Sequence, residues 1–474
     1  MTPLHFGVFE VMGPQVGGTY SWAHPLSSSI DYADPEHWIR IARLLDEAGF
    51  DFLFFADGYG YPIVGDDISE VAIRKGINFS GLDPMLTIPL LARATERLGF
   101  VVTSATGLGH PVQTARRFGT LDHLTQGRIG WNIVTGSSQN AVAELFGHRQ
   151  MTPHDTRYAI AEEYVSLAGR YWEQGWDDDA LLADRDRGEY ADPSGIHRIE
   201  ADGEHYRTSG YFTVPPSPQR TPVLFQAGTS GKGKEFAGRY AECVFVQGTT
   251  PELTARSVAD IRRQAESEGR DPSALKLMAG LTVSVAATAA EAEHLRAEYE
   301  RMQTDEIAAT LYAGNTGIDL LTLDPDRSLE QLVEDGRVGQ MGQSNIDRFR
   351  GRGDAPAPTV REILAQLRPR GTRGFQVVGD GESVADQIED LAARTGLDGF
   401  LIEPIFDPHD LQAFASLVMP VLRERGRIPE SPRTGTLREQ LGQASPRLDE
   451  RHPLHPAGRE SRRESATERR LRVS

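Results

Sequence analysis

The chain has 474 residues, about three times the usual domain of ~150, so it is either two or three domains or one large α/β barrel carrying insertions. Hydrophobic residues at 39%, charged residues at 25% and aromatics at 8% are globular values and exclude disordered, collagen-like and coiled-coil chains. The formal charge of −18, from 50 Lys+Arg against 68 Asp+Glu, lacks the basic footprint that displaces counterions from a polyanion, so nucleic acid is not an expected partner.

Short apolar runs alternate with longer stretches of helical period. Leu4 to Phe9 predicts a strand and Pro35 to Ala48 a helix stopped by Gly49. Phe50 to Ala56 predicts a second strand ending at Asp57, Pro84 to Leu98 a helix, and Phe100 to Ser104 a third strand. Helix Val112 to Leu124, strand Ile129 to Val134 and helix Asp155 to Trp172 continue the rhythm. Gly175 to Gln219, rich in Asp, Gly and Pro, breaks it with short alternating pieces that predict a hairpin-like insertion. Strands at Val223 to Ala227, Cys243 to Gln247 and Leu275 to Ala286 follow, with helices at Lys234 to Tyr240, Pro251 to Glu268 and Ala289 to Met302. Gln303 to Gly374 is a second interruption, expected as a lid, before helix Ser383 to Thr395, strand Gly399 to Glu403 and helix Leu411 to Glu424.

Eight strands, each followed by a helix, predict an α/β fold: a (β/α)₈ TIM barrel over residues 1–432 with insertions at about 175–219 and 303–374. From Arg433 to Ser474 ten Arg stand against six Asp/Glu, leaving the body near −22; with three prolines and no apolar period, residues 433–474 are expected to be a basic, disordered tail. Cys243, the one cysteine, sits in Cys-Val-Phe-Val and reads as a buried core residue rather than a nucleophile. The N-terminus has no signal-peptide pattern and no apolar run approaches the ~20 residues of a membrane span, so a cytoplasmic protein with no membrane association is expected.

In such a barrel, chemistry stands just past the C-terminal strand ends. The residues there are Asp57, Thr103 with Ser104, Asn132 with Thr135, the turn Gly228-Thr229-Ser230-Gly231, Gln247 and Glu403. Gly13-Pro14 and Gly17-Gly18 after the first strand do not make the dinucleotide pattern of a doubly wound sheet. The sharpest motif is Val-Leu-Phe-Gln-Ala-Gly-Thr-Ser-Gly-Lys-Gly-Lys-Glu, residues 223 to 235, in which a strand runs through a Gly/Ser turn into a helix. Free N–H groups at a helix start suit one phosphate, with a tight glycine turn as the alternative. Gly228 to Lys234 also spells most of a nucleotide-hydrolysing P-loop, but Glu235 stands where Ser or Thr should hold magnesium. His154 and Tyr158, four apart at the start of a helix, can face one ligand or simply cap and pack. No His-Glu-x-x-His or facial His/carboxylate cluster appears, so no metal is expected, and no Gly-x-Ser-x-Gly elbow supports a serine hydrolase.

Six segments together resemble the bacterial luciferase-like flavin monooxygenases, in the branch of the nitrilotriacetate, dibenzothiophene-sulfone and pristinamycin monooxygenase components. They are Trp22-Ala-His24-Pro25; Phe54-Phe-Ala-Asp57; Leu121-Asp-His-Leu-Thr-Gln-Gly-Arg128 with Gly130-Trp-Asn-Ile-Val-Thr135; His154-Asp-Thr-Arg-Tyr158; Asp177-Asp-Asp; and Gln226-Ala-Gly-Thr-Ser230. The resemblance implies an FMN site with Asp57 and Thr103 or Ser104 near the ring and ribityl chain, Asn132 beside the ring, and His154, Tyr158, Gly228, Thr229 and Ser230 around the phosphate. Ser137 is the displaced counterpart of a family hydroxyl near the flavin, since this chain reads Asn-Ile-Val-Thr-Gly at the fourth strand. His24 is the implied catalytic residue, hydrogen-bonding a flavin peroxide, with a structural loop histidine as the alternative. The implied reaction oxygenates a small organic substrate with O₂ and reduced FMN delivered by a separate NAD(P)H:flavin reductase, in a homodimer or homotetramer. A deazaflavin- or flavin-dependent reductase and a non-catalytic flavin-binding relative are the competing functions. At the third-strand exit Ala105-Thr-Gly-Leu-Gly-His-Pro-Val112 replaces a family stretch with two aromatics, which reshapes the pocket, and Lys232 and Lys234 are unusual additions to the phosphate turn.

Overall fold

The computed structural model describes residues 3–15, 20–64, 67–136, 140–228, 230–334, 349, 356–371 and 373–458. Eight parallel strands close on themselves: β1 (His5–Val11), β2 (Phe52–Ala56), β3 (Gly99–Ala105), β4 (Ile129–Val134), β5 (Val223–Gln226), β6 (Cys243–Val246), β7 (Lys276–Val285) and β8 (Gly399–Ile402). Each pairs with its sequence neighbours, β1 pairs with β8, and β6 against β7 completes the ring. The protein is therefore a (β/α)₈ barrel, as the eight apolar runs indicated.

Side-chain alternation along each strand builds two cores. Phe52, Phe54, Val101, Val223, Phe225, Cys243, Met278 and Leu401 fill the barrel interior. Their neighbours Leu53, Phe55, Val102, Trp131, Leu224, Val244, Leu277, Phe400 and Ile402 face outward into the larger core beneath the helices. Those helices begin with α1 (Pro35–Ala48), N-capped by Asp34 and ended by left-handed Gly49, and α2 (Ile88–Ala94). Next come α3 (Pro111–Leu124), α4 (His154–Gln174), α5 (Gly231–Tyr240) and α6 (Pro251–Ser267). Among the described residues no helix is long and apolar enough to cross a membrane.

A ninth strand, Phe375–Gly379, pairs with the upper half of β7 from Leu281 to Val285, beyond the reach of β6. It was not among the expected eight, because five residues bounded by glycines leave little period to read. The 175–219 stretch forms two antiparallel hairpins, Leu181–Asp184 with Glu189–Ala191 and Arg198–Asp202 with Arg207–Tyr211. The later excursion contains Asp305–Thr316, Leu329–Glu334 and Val360–Leu367, which share a separate small core around Tyr312, Leu320, Ile363 and Leu367. Its first helix also packs Ile307 and Leu311 on Ile77 of the excursion after β2.

The segment from residue 433 departs from expectation as far as it is described, to residue 458. Thr436 caps a short helix, Leu437–Gln440, and Leu437 and Leu441 plug the N-terminal end of the barrel interior. A Cβ on Gly99 would lie 2.6 Å from Leu437, so the start of β3 is shaped around this plug. Arg438, 1% exposed, is bound to Glu242 at 2.6 and 2.9 Å and to the carbonyls of Thr221, Pro222 and Pro446. Arg433 reaches Asp51 at 2.6 Å, and His452 meets the Tyr240 carbonyl at 2.9 Å. The basic residues that suggested a solvated tail neutralise buried carboxylates and cap carbonyls, and the plugging leucines, one pair four apart, are too few to show a period. Residues 459–474 lie outside the described residues.

Candidate functional site

At the C-terminal rim, Thr103 and Asn132 are neighbours in register on β3 and β4 and both point inward. The Thr103 hydroxyl donates to the Phe55 carbonyl at 2.9 Å and accepts from Asn132 Nδ2 at 2.9 Å. Asn132 Oδ1 is buried and accepts no hydrogen bond from the described residues. Such an atom costs free energy unless a ligand or water supplies a donor. Asp57 follows β2 on the wall of a cavity of about 200 Å³ that also touches Asp83, Thr103, Ser104, Gln113 and Arg117. Crowding by the surrounding protein and the nearby Asp83 carboxylate push Asp57 up to about 6, against the pull of the Gly58 N–H.

A second cluster stands where β5 runs into α5. Ser230 is the N-cap, its hydroxyl accepting the Gly233 N–H at 3.0 Å. His154, the first residue of α4 rather than its cap, brings Nε2 to 3.4 Å from that hydroxyl and binds Asp155 at 2.8 Å through Nδ1. Tyr158, one turn on, is buried; burial raises its hydroxyl above the ordinary range while hydrogen bonds with Ser230 and Thr135 oppose the shift. That hydroxyl lies 2.8 and 2.9 Å from where a Cβ would stand on Gly228 and Gly233, so glycine at both positions is a packing requirement. Gln226 Oε1 is buried without a hydrogen-bond partner among the described residues. The structure thus gathers His154, Tyr158, Gly228 and Ser230 around one helix start, where the dipole and free N–H groups favour an anion. Thr229 and Ser137 lie outside the described residues. Lys232 and Lys234 do not point to the turn: they pair with Glu235 at 2.9 Å and Asp260 at 2.8 Å. Arg157 donates to the Gly136 carbonyl.

His24 sits in the loop after β1. Its ring stacks on Phe406 with centroids 4.1 Å apart, Nδ1 accepts the Leu26 N–H at 3.3 Å, and Nε2 is 3.4 Å from Glu298. With Nδ1 accepting, the proton sits on Nε2 and is directed to Glu298.

Sequence reasoning missed a buried acidic group behind this loop. Glu10, 1% exposed, is held well above the ordinary carboxylate range by burial and by Asp407, with Arg373 opposing. Burial also raises Asp407, while His37 at 3.3 Å draws it down. A charged residue inside the apolar run Phe-Gly-Val-Phe-Glu-Val was the available signal. A larger, open groove of about 660 Å³ between Ala289–Met302 and the helical stretch 409–417 is mainly apolar and holds none of the expected site residues. Among the described residues no group of three or more His, Cys, Asp or Glu is arranged to hold a metal ion.

Residues 5–399 match the family described as luciferase-like monooxygenase. The chain is 37% identical to dimethyl-sulfide monooxygenase of Hyphomicrobium sulfonivorans over 93% of its own length and 90% of that protein's. It is 32% identical to nitrilotriacetate monooxygenase component A of Aminobacter aminovorans, over 93% and 96% of the two chains. Among solved structures, a riboflavin lyase with modified FMN and riboflavin superposes with a TM-score of 0.89 at 37% identity, covering 96% of this chain and 99% of that one. Coverage of nearly the whole barrel at these identities decides the matter: the chain belongs to the luciferase-like monooxygenase family and shares the oxidoreductase class of its named relatives.

Proposed function

We propose that this protein is the oxygenase component of a two-component, FMN-dependent monooxygenase acting on a small organic substrate in the cytoplasm. The observation that carries the reading is Asn132 Oδ1, a buried rim acceptor that no described protein group satisfies, together with a helix start that gathers Ser230, His154 and Tyr158. A flavin mononucleotide suits both clusters, with a phosphate for the N–H groups at the helix start and a ring N–H donor for Asn132 Oδ1. Ser230, His154, Tyr158 and the Gly228 cradle would hold the phosphate, with Thr229 and Ser137 in the adjoining segments. Asp57, Thr103, Ser104 and Asn132 would hold the ring. When bound, reduced FMN supplies the electrons that activate O₂.

The chain's own part is to bind, orient and shield. Thr103 fixes the Asn132 amide, leaving its carbonyl oxygen to select a donor on the ring. The excursions after β2 and β7, joined at Ile77, Ile307 and Leu311, supply the cover that keeps water out of a mouth where activated oxygen would otherwise be lost. His24 is assigned to the substrate side of the mouth, its ring held by Phe406 and its Nε2 proton by Glu298. A separate NAD(P)H:flavin reductase would supply the reduced flavin, a reading supported by the relative named as component A.

The test is direct. Stopped-flow mixing of the protein with reduced FMN and aerated buffer is expected to slow flavin reoxidation, and adding a reductase with NAD(P)H and a substrate panel is expected to give an oxygenated product. Reoxidation at the rate of free flavin with no binding would overturn the proposal. Tight binding of a deazaflavin in preference to FMN would redirect it to the reductase reading.

A further inference from the structure

The cavity of about 200 Å³ beside Thr103 and Ser104 carries charges of both signs on its wall, and they do not meet. Asp57 and Asp83 belong together, the second helping to push the first up. They accept the Gly58 N–H at 2.8 Å and the Met85 N–H at 2.9 Å, and neither forms an ion pair among the described residues. Arg117 is the one cation among the described residues that line the cavity. It stands on α3, whose cap His110 and capping-box partner Gln113 seat the first turn just past the exit of β3. Gln113 and Arg117, four apart, share a helix face, and helical side chains lean toward the N-terminus, so the guanidinium is carried back toward the rim. Tyr164, 1% exposed and bonded to Thr114 at 2.5 Å, closes the wall beside it. Burial raises the Tyr164 hydroxyl, while its bond to Thr114 and the charge of Arg117 act against the rise, which places that charge on the cavity side of α3. Among the described residues Arg117 has no ion pair or hydrogen bond, and it is not among the charges that act on Asp57. The guanidinium and the two carboxylates thus face one space from separate parts of its wall.

We propose that Arg117 sets the redox-state preference of the ring site, its guanidinium favouring the reduced flavin ring over the oxidised one. This rests on the FMN reading and deepens it, because a protein supplied by a separate reductase has to take the reduced form in preference to the oxidised form. The two forms share their ribityl phosphate, so the start of α5 cannot tell them apart. Their rings differ in charge at neutral pH, anionic when reduced and neutral when oxidised, and a protein charge beside the ring reads that difference. Asp57 and Asp83 repel the anion, which leaves Arg117 as the wall residue that attracts it. Arginine keeps its charge at every working pH, and in a concave site shielded from bulk water one such charge is worth about tenfold in affinity.

The test reads affinities rather than turnover. Anaerobic ultrafiltration at neutral pH gives the dissociation constants of dithionite-reduced FMN and of oxidised FMN for the wild type and two variants. The wild type is expected to bind the reduced form at least about tenfold more tightly. Arg117→Gln is expected to lower that ratio at least about fivefold, and Arg117→Lys, which keeps the charge, to retain most of it. Arg117 is exposed and outside the core, and the lysine variant separates loss of charge from loss of fold. A wild-type ratio near one, a Gln variant whose two affinities fall in step, or a Lys variant no better than the Gln variant overturns the proposal. Absence of binding by either form would end the FMN reading with it, whereas binding of both forms with a ratio unmoved by Arg117→Gln ends this proposal alone.

Discussion

Asp57 is the site residue whose charge state is easiest to move. Its folded value of about 6 lies above the ordinary aspartate value of about 3.9. Between those values the native protein holds a proton that the unfolded chain has released, so this group costs stability as pH rises through that window. Asp57→Asn is expected to remove the cost, so that the Tm of the variant gains on the wild type between pH 4 and pH 7; a constant difference over that range would remove the assignment. Gly228 is tested by bulk rather than charge. A methyl group there meets Gln226 Nε2 at 2.2 Å and the Tyr158 hydroxyl at 2.8 Å. Gly228→Ala is therefore expected to weaken FMN binding at least about tenfold by fluorescence titration, about 1.4 kcal/mol, with far-UV circular dichroism unchanged. Equal FMN affinity in the two proteins would detach the turn from the cofactor.

At the scale of elements, the start of α5 and the plug at the other end of the barrel depend on single side chains. Ser230→Ala deletes the cap of α5 and is expected to cost about 1 kcal/mol in chemical denaturation, as N-cap losses do, besides lowering FMN affinity. Stability unchanged within error would show that the cap bond is not formed in solution. The plug is held by a different device. Glu242 accepts the Leu224 N–H at 3.0 Å as well as the Arg438 guanidinium, so removing the arginine strands a buried carboxylate within β5's hydrogen-bond network. Arg438→Met is expected to destabilise the fold by about 3–5 kcal/mol, and Arg438→Met with Glu242→Leu to recover much of that loss. A double variant as unstable as the single one would show that the carbonyl contacts of Arg438, rather than its charge, hold the segment.

For the whole molecule, the sequence was informative where neighbours in the chain decide the structure. Apolar runs such as Phe50 to Ala56 announce strands because both faces of a barrel strand are buried, and glycines such as Gly49 announce where a helix ends. The turn from β5 into α5 was legible for the same reason, as a strand, glycines and a capping serine in sequence. What could not be read depends on distant partners. Glu242 and Arg438 stand 196 positions apart, and only the fold shows that they share one buried contact. Glu10 owes its raised carboxyl to burial and to Asp407, at the other end of the barrel sequence, and Lys232 and Lys234 are turned from the start of α5 by carboxylates whose placement no motif encodes. The plug has a further consequence, in time rather than space. The interior layer that begins with Phe9 packs together with Leu437 and Leu441, so the hydrophobic lumen stays open at its base until residues 437 to 441 have been synthesised. A nascent chain halted at residue 432 is expected to expose that lumen and to be held by chaperones or degraded, whereas a chain extended past Leu441 can seal it.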